Sequence, residues 1–190
     1  FGIPITKARD VYAMAAKLEG LEIVGIDVHI GSQLTDLEPF GLAYRKVAEL
    51  TETLRADGHD IRRLDLGGGL GIPYVRGNEA PPLPADYGAL IKREVGHLGC
   101  EVEIEPGRLI VGNAGLLVSS VIYVKEGEGR NFLILDAAMN DLIRPALHNA
   151  KHRIVPSLRN MSLSKKILEF VGPVCETTDK FLTERKFQNI

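Results

Sequence analysis

The chain has 190 residues, 45% hydrophobic and 25% charged, with a net charge of −2. That is ordinary globular composition. It excludes an electrostatic footprint for nucleic acid, and no apolar run reaches the ~18 residues of a transmembrane helix.

Two cysteines, Cys100 and Cys175, are too few for a disulfide framework and suit a reducing cytosol, so a cytoplasmic location is expected. Phe1-Gly2-Ile3-Pro4 has neither a charged n-region nor an apolar h-region, so no signal peptide is read. Opening on Phe1 and not on methionine points to a start within a longer chain.

In chain order, Thr6–Leu18 reads as a helix, because Val11, Met14, Ala15 and Leu18 share one face and Gly20 ends it. Ile23–Val28 is a strand running into His29-Ile30-Gly31-Ser32. Thr35 and Glu38 have capping-box spacing, with Pro39 in the first turn. The helix that follows carries Phe40, Tyr44, Val47 and Leu54 on one face and stops at Gly58. Ile61–Leu66 is the next strand and runs into Gly67-Gly68-Gly69. The loop 71–84 is long, and long ordered loops are often functional.

Tyr87, Leu90, Ile91, Val95 and Leu98 mark a third helix. Cys100 opens the strand after it and is expected to face the core; that strand leads to Glu105-Pro106-Gly107-Arg108. Residues 107–114 read as one short helix. The segments 116–125, 131–135 and 166–171 read as strands, with a short helix or turn at 141–149. Strands without long helices between them predict an antiparallel sheet, and a domain boundary falls near residue 115.

His29, Gly67 and Glu105 lie 38 residues apart, at the same point of three successive units. Repeated βα units place binding residues past the C-terminal ends of their strands. Gly67, Gly68 and Gly69 can offer consecutive backbone N–H groups to an anion, since no Cβ blocks the approach. Gly107 and Arg108 add donors, a helix start and a fixed cation, and Ser32 adds a hydroxyl. A glycine triplet alone reads equally well as a tight turn; with Arg108 and Ser32 in register, a phosphate site is favoured.

A carboxylate beside a phosphate pocket needs a cation. Pyridoxal phosphate has one in its protonated ring nitrogen, and a carboxylate there keeps the ring a strong electron sink. His29 is placed to lie against the ring, although a lone histidine is more often a satisfied core residue. Glu105 read without the cofactor is a surface ion pair.

His29-Ile30-Gly31-Ser32-Gln33, Gly67-Gly68-Gly69-Leu70-Gly71 and Glu105-Pro106-Gly107-Arg108 resemble the barrel motifs of the pyridoxal-phosphate decarboxylases with an alanine-racemase-like barrel. The stretch from Asp136 to Pro145 is similar to the branch that acts on diaminopimelate, and Gly172–Asp179 is similar to that branch's Cys-Glu motif.

The resemblance implies an α/β fold: the last three βα units of a TIM-type barrel (residues 1–115, cofactor-binding), then part of an antiparallel C-terminal β domain (116–190). It implies pyridoxal phosphate as cofactor and a small amino-acid substrate, meso-diaminopimelate, decarboxylated to lysine. No metal, nucleic acid or membrane partner is implied.

By the same resemblance, His29 stacks on the ring, Glu105 pairs with its nitrogen, and Ser32, Gly67, Gly68, Gly69, Gly107 and Arg108 hold the phosphate. Arg108 and Arg144 grip the distal carboxylate, a task that suits guanidinium groups better than lysines. Glu176 takes the distal ammonium, and Cys175 is the catalytic acid. Cys175 and Glu176 reach the partner subunit's site in this family, so a homodimer is implied. Read alone, Arg144 before Pro145 is a surface cation on a turn, and Cys175 is a small core residue.

Four departures bear on activity. The family's cofactor-bonding lysine has no counterpart: Lys7 and Lys17, the lysines before His29, fall on the first helix. Three strand units cannot close a barrel. The chain stops at Ile190, before the family's later substrate tyrosine, and His148 stands where a tyrosine is usual, four residues after Arg144, where an imidazole can still donate to a carboxylate. Residues 151–166 are more basic and less family-like.

The 190 residues alone are therefore expected to be inactive. Two other readings stay open: a truncated relative that binds a full-length partner, and a sibling decarboxylase for ornithine, arginine or carboxynorspermidine.

Overall fold

A computed structural model describes residues 2–74, 81–157 and 165–188. Residues 75–80 of the long loop and 158–164 of the basic stretch lie outside the described residues. The chain divides into two compact units, residues 1–115 and 116–190.

The first unit is a parallel sheet of β1 (Gly25–Asp27), β2 (Arg63–Asp65) and β3 (Glu101–Glu103), in that order. Gly25 pairs with Arg63, and Arg63 with Glu101. The 38-residue sequence period is thus the sheet register itself. Gly25 is a packing requirement at this register, because a Cβ there would overlap the Arg63 carbonyl oxygen.

The helices α2 (Glu38–Ala56) and α3 (Pro84–Val95) supply the crossovers that parallel strands require. Phe40, Tyr44 and Leu54 from α2 are fully buried with Leu64 and Leu66 around β2, and Tyr87, Leu90 and Val95 of α3 close the same core. Each such side chain contributes about 1.5–3 kcal/mol by leaving water. The Tyr44 and Tyr87 hydroxyls meet at 2.6 Å, and Tyr44 also donates to the Leu66 carbonyl. Burial raises both phenols above the ordinary tyrosine range, Tyr44 the more strongly.

Several local expectations need correction. The first helix is shorter than its apolar spacing predicts: α1 runs Ala8–Ala15 after a 3₁₀ turn at Ile5–Lys7. Met14 and Leu18 are exposed, and Ala8 is the buried residue of α1. Its anchors are polar: Tyr12 donates to the Gly25 carbonyl, and Arg9 pairs with Asp57. At the start of α2 the N-cap is Leu37, and Asp36 rather than Thr35 accepts the Glu38 N–H. Cys100 is half-buried beside the core, with its sulfur 3.1 Å from the Arg55 guanidinium.

The second unit is a four-stranded sheet of β4 (Val121–Glu126), β5 (Asn131–Leu135), β6 (Lys165–Val171) and β7 (Lys180–Gln188). Its core holds Leu133, Ala137, Leu168, Phe170 and Phe181. The sheet is mixed and not purely antiparallel: β4–β5 and β6–β7 run antiparallel, while β5–β6 run parallel. The reason is the long β5–β6 connection, which carries α5 (Arg144–His148) and returns the chain in the same direction. No helix among the described residues is long and apolar enough to cross a membrane.

Candidate functional site

In the first unit the parallel register gathers the sequence-predicted residues at one end of the sheet. His29 Nδ1 accepts the Gly68 N–H at 3.4 Å, and the Glu105 N–H donates to the Gly67 carbonyl at 2.9 Å. His29, Ser32 and Glu105 are exposed, Arg108 is half-buried, and Gly67 and Gly68 are buried. No side-chain partner meets the Glu105 carboxylate or the Ser32 hydroxyl among the described residues.

The glycine triplet does something different from what its sequence predicts. The three N–H groups are not a free row: Gly67 donates to Asp65 Oδ1 at 2.9 Å and Gly68 to His29. Close backbone approach is what demands glycine. A Cβ on Gly67 would sit 2.5 Å from the Val28 carbonyl oxygen, one on Gly68 would overlap that of Glu105, and one on Gly69 that of Gly31. Gly67 and Gly69 also have φ of 66° and 108°, a region that disfavours side chains. The triplet packs three strand ends together and leaves the Gly69 N–H without an acceptor among the described residues.

Gly107 is the opposite case. A Cβ there would meet nothing within 4 Å, and its φ of −81° suits any residue. The helix it caps, α4 (Arg108–Val111), is only four residues long, so its dipole adds less than the sequence predicts.

Gln33 escaped notice in the sequence except as part of a motif. Its amide accepts the Ile72 N–H at 3.2 Å, donates to the Ile72 carbonyl at 2.6 Å, and accepts from Arg108 Nη1 at 3.2 Å. Its φ of 60° is rare for a residue with a side chain. Tyr74 covers the other side of Arg108, with the guanidinium carbon 5.7 Å from the ring centre. The cation at this rim is therefore aimed by a neutral amide and a ring, with no carboxylate to neutralise it among the described residues. One rim thus carries a fixed cation, a hydroxyl and a backbone donor for an anion, an imidazole, and an unpaired carboxylate for a cation.

The other set of predicted residues lies in the second unit. Arg144, the first residue of α5, is exposed with no side-chain partner among the described residues, and His148 is exposed at the end of the same helix. Cys175 is exposed and not a core residue. The Glu176 carboxylate accepts from the Thr178 N–H at 3.2 Å and from the Thr177 and Thr178 hydroxyls at 3.1 and 3.2 Å. These donors, the Thr178 N–H foremost, hold its pKa below the ordinary glutamate range.

A depressed carboxylate stabilises the turn above the ordinary glutamate titration, and the contribution is lost as pH falls through the lowered value. A carboxyl-carbon NMR titration is expected to place the Glu176 midpoint below that of a free glutamate. A Thr177→Val, Thr178→Val double variant is expected to move it back up.

The family described as "Pyridoxal-dependent decarboxylase, pyridoxal binding domain" matches residues 1–112. A diaminopimelate decarboxylase of Haemophilus influenzae is 48% identical over 94% of this chain and 43% of its own length. One of Aquifex aeolicus is 43% identical over the whole chain and 45% of its own length. The chain thus spans less than half the length of these relatives. Among solved structures, diaminopimelate decarboxylase from Helicobacter pylori complexed with L-lysine superimposes with a TM-score of 0.88 at 39% identity, covering all of this chain and 46% of that one.

Proposed function

We propose, for a chain that belongs to the pyridoxal-dependent decarboxylase family through its pyridoxal-binding domain, that these residues are a segment of an enzyme decarboxylating meso-diaminopimelate to lysine. The observation that carries the proposal is the rim: His29, the Gly67–Gly69 turn and Glu105 stand in one sheet register beside a fixed Arg108. The activity for which these relatives are named supports the substrate.

The residues fit pyridoxal phosphate. Gly107 has no packing or conformational reason to be glycine within the chain, as expected where a ligand comes close to the backbone. Ser32, Arg108, Gly107 and the Gly69 N–H are the phosphate donors in this reading, with Gly67 and Gly68 shaping the turn. Bound there, the cofactor supplies an electron sink for loss of carbon dioxide. Glu105 would keep a proton on the ring nitrogen, and His29 would pack against the ring.

In the second unit Arg144 takes the distal carboxylate, aided by His148 at the other end of the same helix, and Glu176 takes the distal ammonium. Cys175 Sγ gives up the proton that replaces the lost carboxyl group. Residues 1–115 serve as three βα units of a barrel and 116–190 as part of a β domain, and a second copy of the subunit completes the site with Cys175 and Glu176.

No lysine stands at the ends of β1, β2 or β3 to bond the cofactor: Lys7 lies in the 3₁₀ turn and Lys17 just past α1. The isolated 190 residues are therefore expected to retain no cofactor absorbance through gel filtration and to make no lysine from diaminopimelate. A stable visible band together with lysine formation would overturn the expected inactivity of these residues on their own.

A further inference from the structure

Gln33 is joined to two parts of the first unit at once. Its Oε1 accepts both the Ile72 N–H and Arg108 Nη1, each at 3.2 Å, and its Nε2 donates to the Ile72 carbonyl at 2.6 Å. The side-chain amide pairs with Ile72 as a neighbouring strand would. It extends a backbone zipper in which Leu34 donates to the Gly69 carbonyl and Gly71 donates to that of Leu34, across a parallel bridge of Leu34 to Leu70. A φ of 60° is unfavourable for a residue with a side chain and persists only where its surroundings hold it.

Ile72 is tied to α4 as well. It is 5% exposed, and it fills the space beside Gly112, the residue that ends α4, where a Cβ would overlap Ile72 Cδ1. Two residues on, the Tyr74 ring covers the Arg108 guanidinium.

A carboxylate in place of the Gln33 amide would bond Arg108 more strongly. It would also neutralise the cation, and it could not donate to the Ile72 carbonyl. We propose that Gln33 is a positioning residue for the phosphate: one amide aims Arg108 and holds Ile72, so that phosphate bound at Arg108 also protects the Ile72 amide. Such coupling is reciprocal, and the hold on Ile72 raises the affinity for phosphate in turn. Its function rests on the phosphate reading of the rim given above, whereas the link itself lies wholly within the first unit.

Amide exchange on the 190-residue chain, with and without inorganic phosphate, tests the link. Gln33→Met keeps the side-chain length but neither polar atom. In it the Ile72 amide is expected to exchange about tenfold faster or more, while Val28 and Leu66, which donate across the sheet to Asp65 and Glu103, keep their protection. In Gln33→Glu an acceptor remains, and the Ile72 amide is expected to stay protected. Unchanged exchange in Gln33→Met, or equal acceleration at Val28 and Leu66, would overturn the hold on Ile72.

Phosphate affinity, read from the Arg108 Nε–H resonance, separates positioning from mere support. Both variants are expected to bind phosphate about tenfold more weakly, Gln33→Met because Arg108 is no longer aimed and Gln33→Glu because it is neutralised. Saturating phosphate is expected to slow Ile72 exchange about threefold or more in the parent and to leave it unchanged in Gln33→Met. Full affinity in Gln33→Glu, or a parent Ile72 amide indifferent to bound phosphate, would overturn the positioning role. A parent whose Arg108 signal ignores phosphate would overturn the phosphate reading of the rim and the coupling with it, and the ligand-free exchange still decides whether Gln33 holds Ile72.

Discussion

Gly68→Ala is expected to lower the stability of the first unit by about 3 kcal/mol, the upper range for forcing extra atoms into a packed site. The position is buried at the centre of three strand ends, and the new Cβ would overlap the Glu105 carbonyl oxygen. That oxygen belongs to backbone and cannot rotate away. Relief requires β2 and β3 to separate, which strains the Glu105 N–H bond to Gly67. Urea unfolding read through the buried tyrosines measures the loss.

Gly107→Ala is the control for this argument. Its Cβ meets only open space, so stability is expected to stay within about 0.5 kcal/mol of the parent. In a chimera that joins this chain to the flanking segments of the Aquifex aeolicus relative, the same change is expected to weaken pyridoxal phosphate retention. If Gly68→Ala is as stable as Gly107→Ala, close packing is not why the triplet is glycine.

Arg144→Ala carries the second large effect. The guanidinium is exposed at the start of α5 with no partner of its own among the described residues. Its removal therefore leaves no acceptor stranded within the chain, and stability is expected to change little. A charge-assisted, bidentate contact to a carboxylate contributes about 1.5–3 kcal/mol. In the chimera, kcat/KM for diaminopimelate is expected to fall between about tenfold and about a hundredfold. Arg144→Lys is expected to recover only part of this, since an ammonium cannot reproduce the planar fork. Any residual turnover of ornithine, which lacks a distal carboxylate, is expected to be unaffected. Equal losses for both substrates would mean that Arg144 supports the fold of α5 and not the recognition of a carboxylate.

The rim was readable in the sequence because a βα unit repeats the strand register. With Gly25 opposite Arg63 and Arg63 opposite Glu101, equal spacing in sequence becomes adjacency in space. The supports of the rim were not readable. Gln33 aims Arg108 through a side-chain amide and a φ of 60°, and neither shows in a sequence letter. Asp65 and Asp179 act by accepting backbone N–H groups, which any acidic residue can do and which only geometry reveals. The apolar spacing of Val11, Met14 and Leu18 signalled a packed face, but α1 is held chiefly through Tyr12 and Arg9. The parallel β5–β6 pairing escaped prediction because it depends on where a long connection returns the chain.

The central claim is that this chain supplies the substrate-recognising groups of a decarboxylase for an amino acid with a distal carboxylate. The most direct measurement is release of carbon dioxide by the Aquifex chimera, loaded with pyridoxal phosphate, from meso-diaminopimelate and from ornithine side by side. Release from diaminopimelate with lysine as the other product, and at least about a hundredfold higher kcat/KM than for ornithine, is the expected result. Equal turnover of the two, or a preference for ornithine, would contradict it.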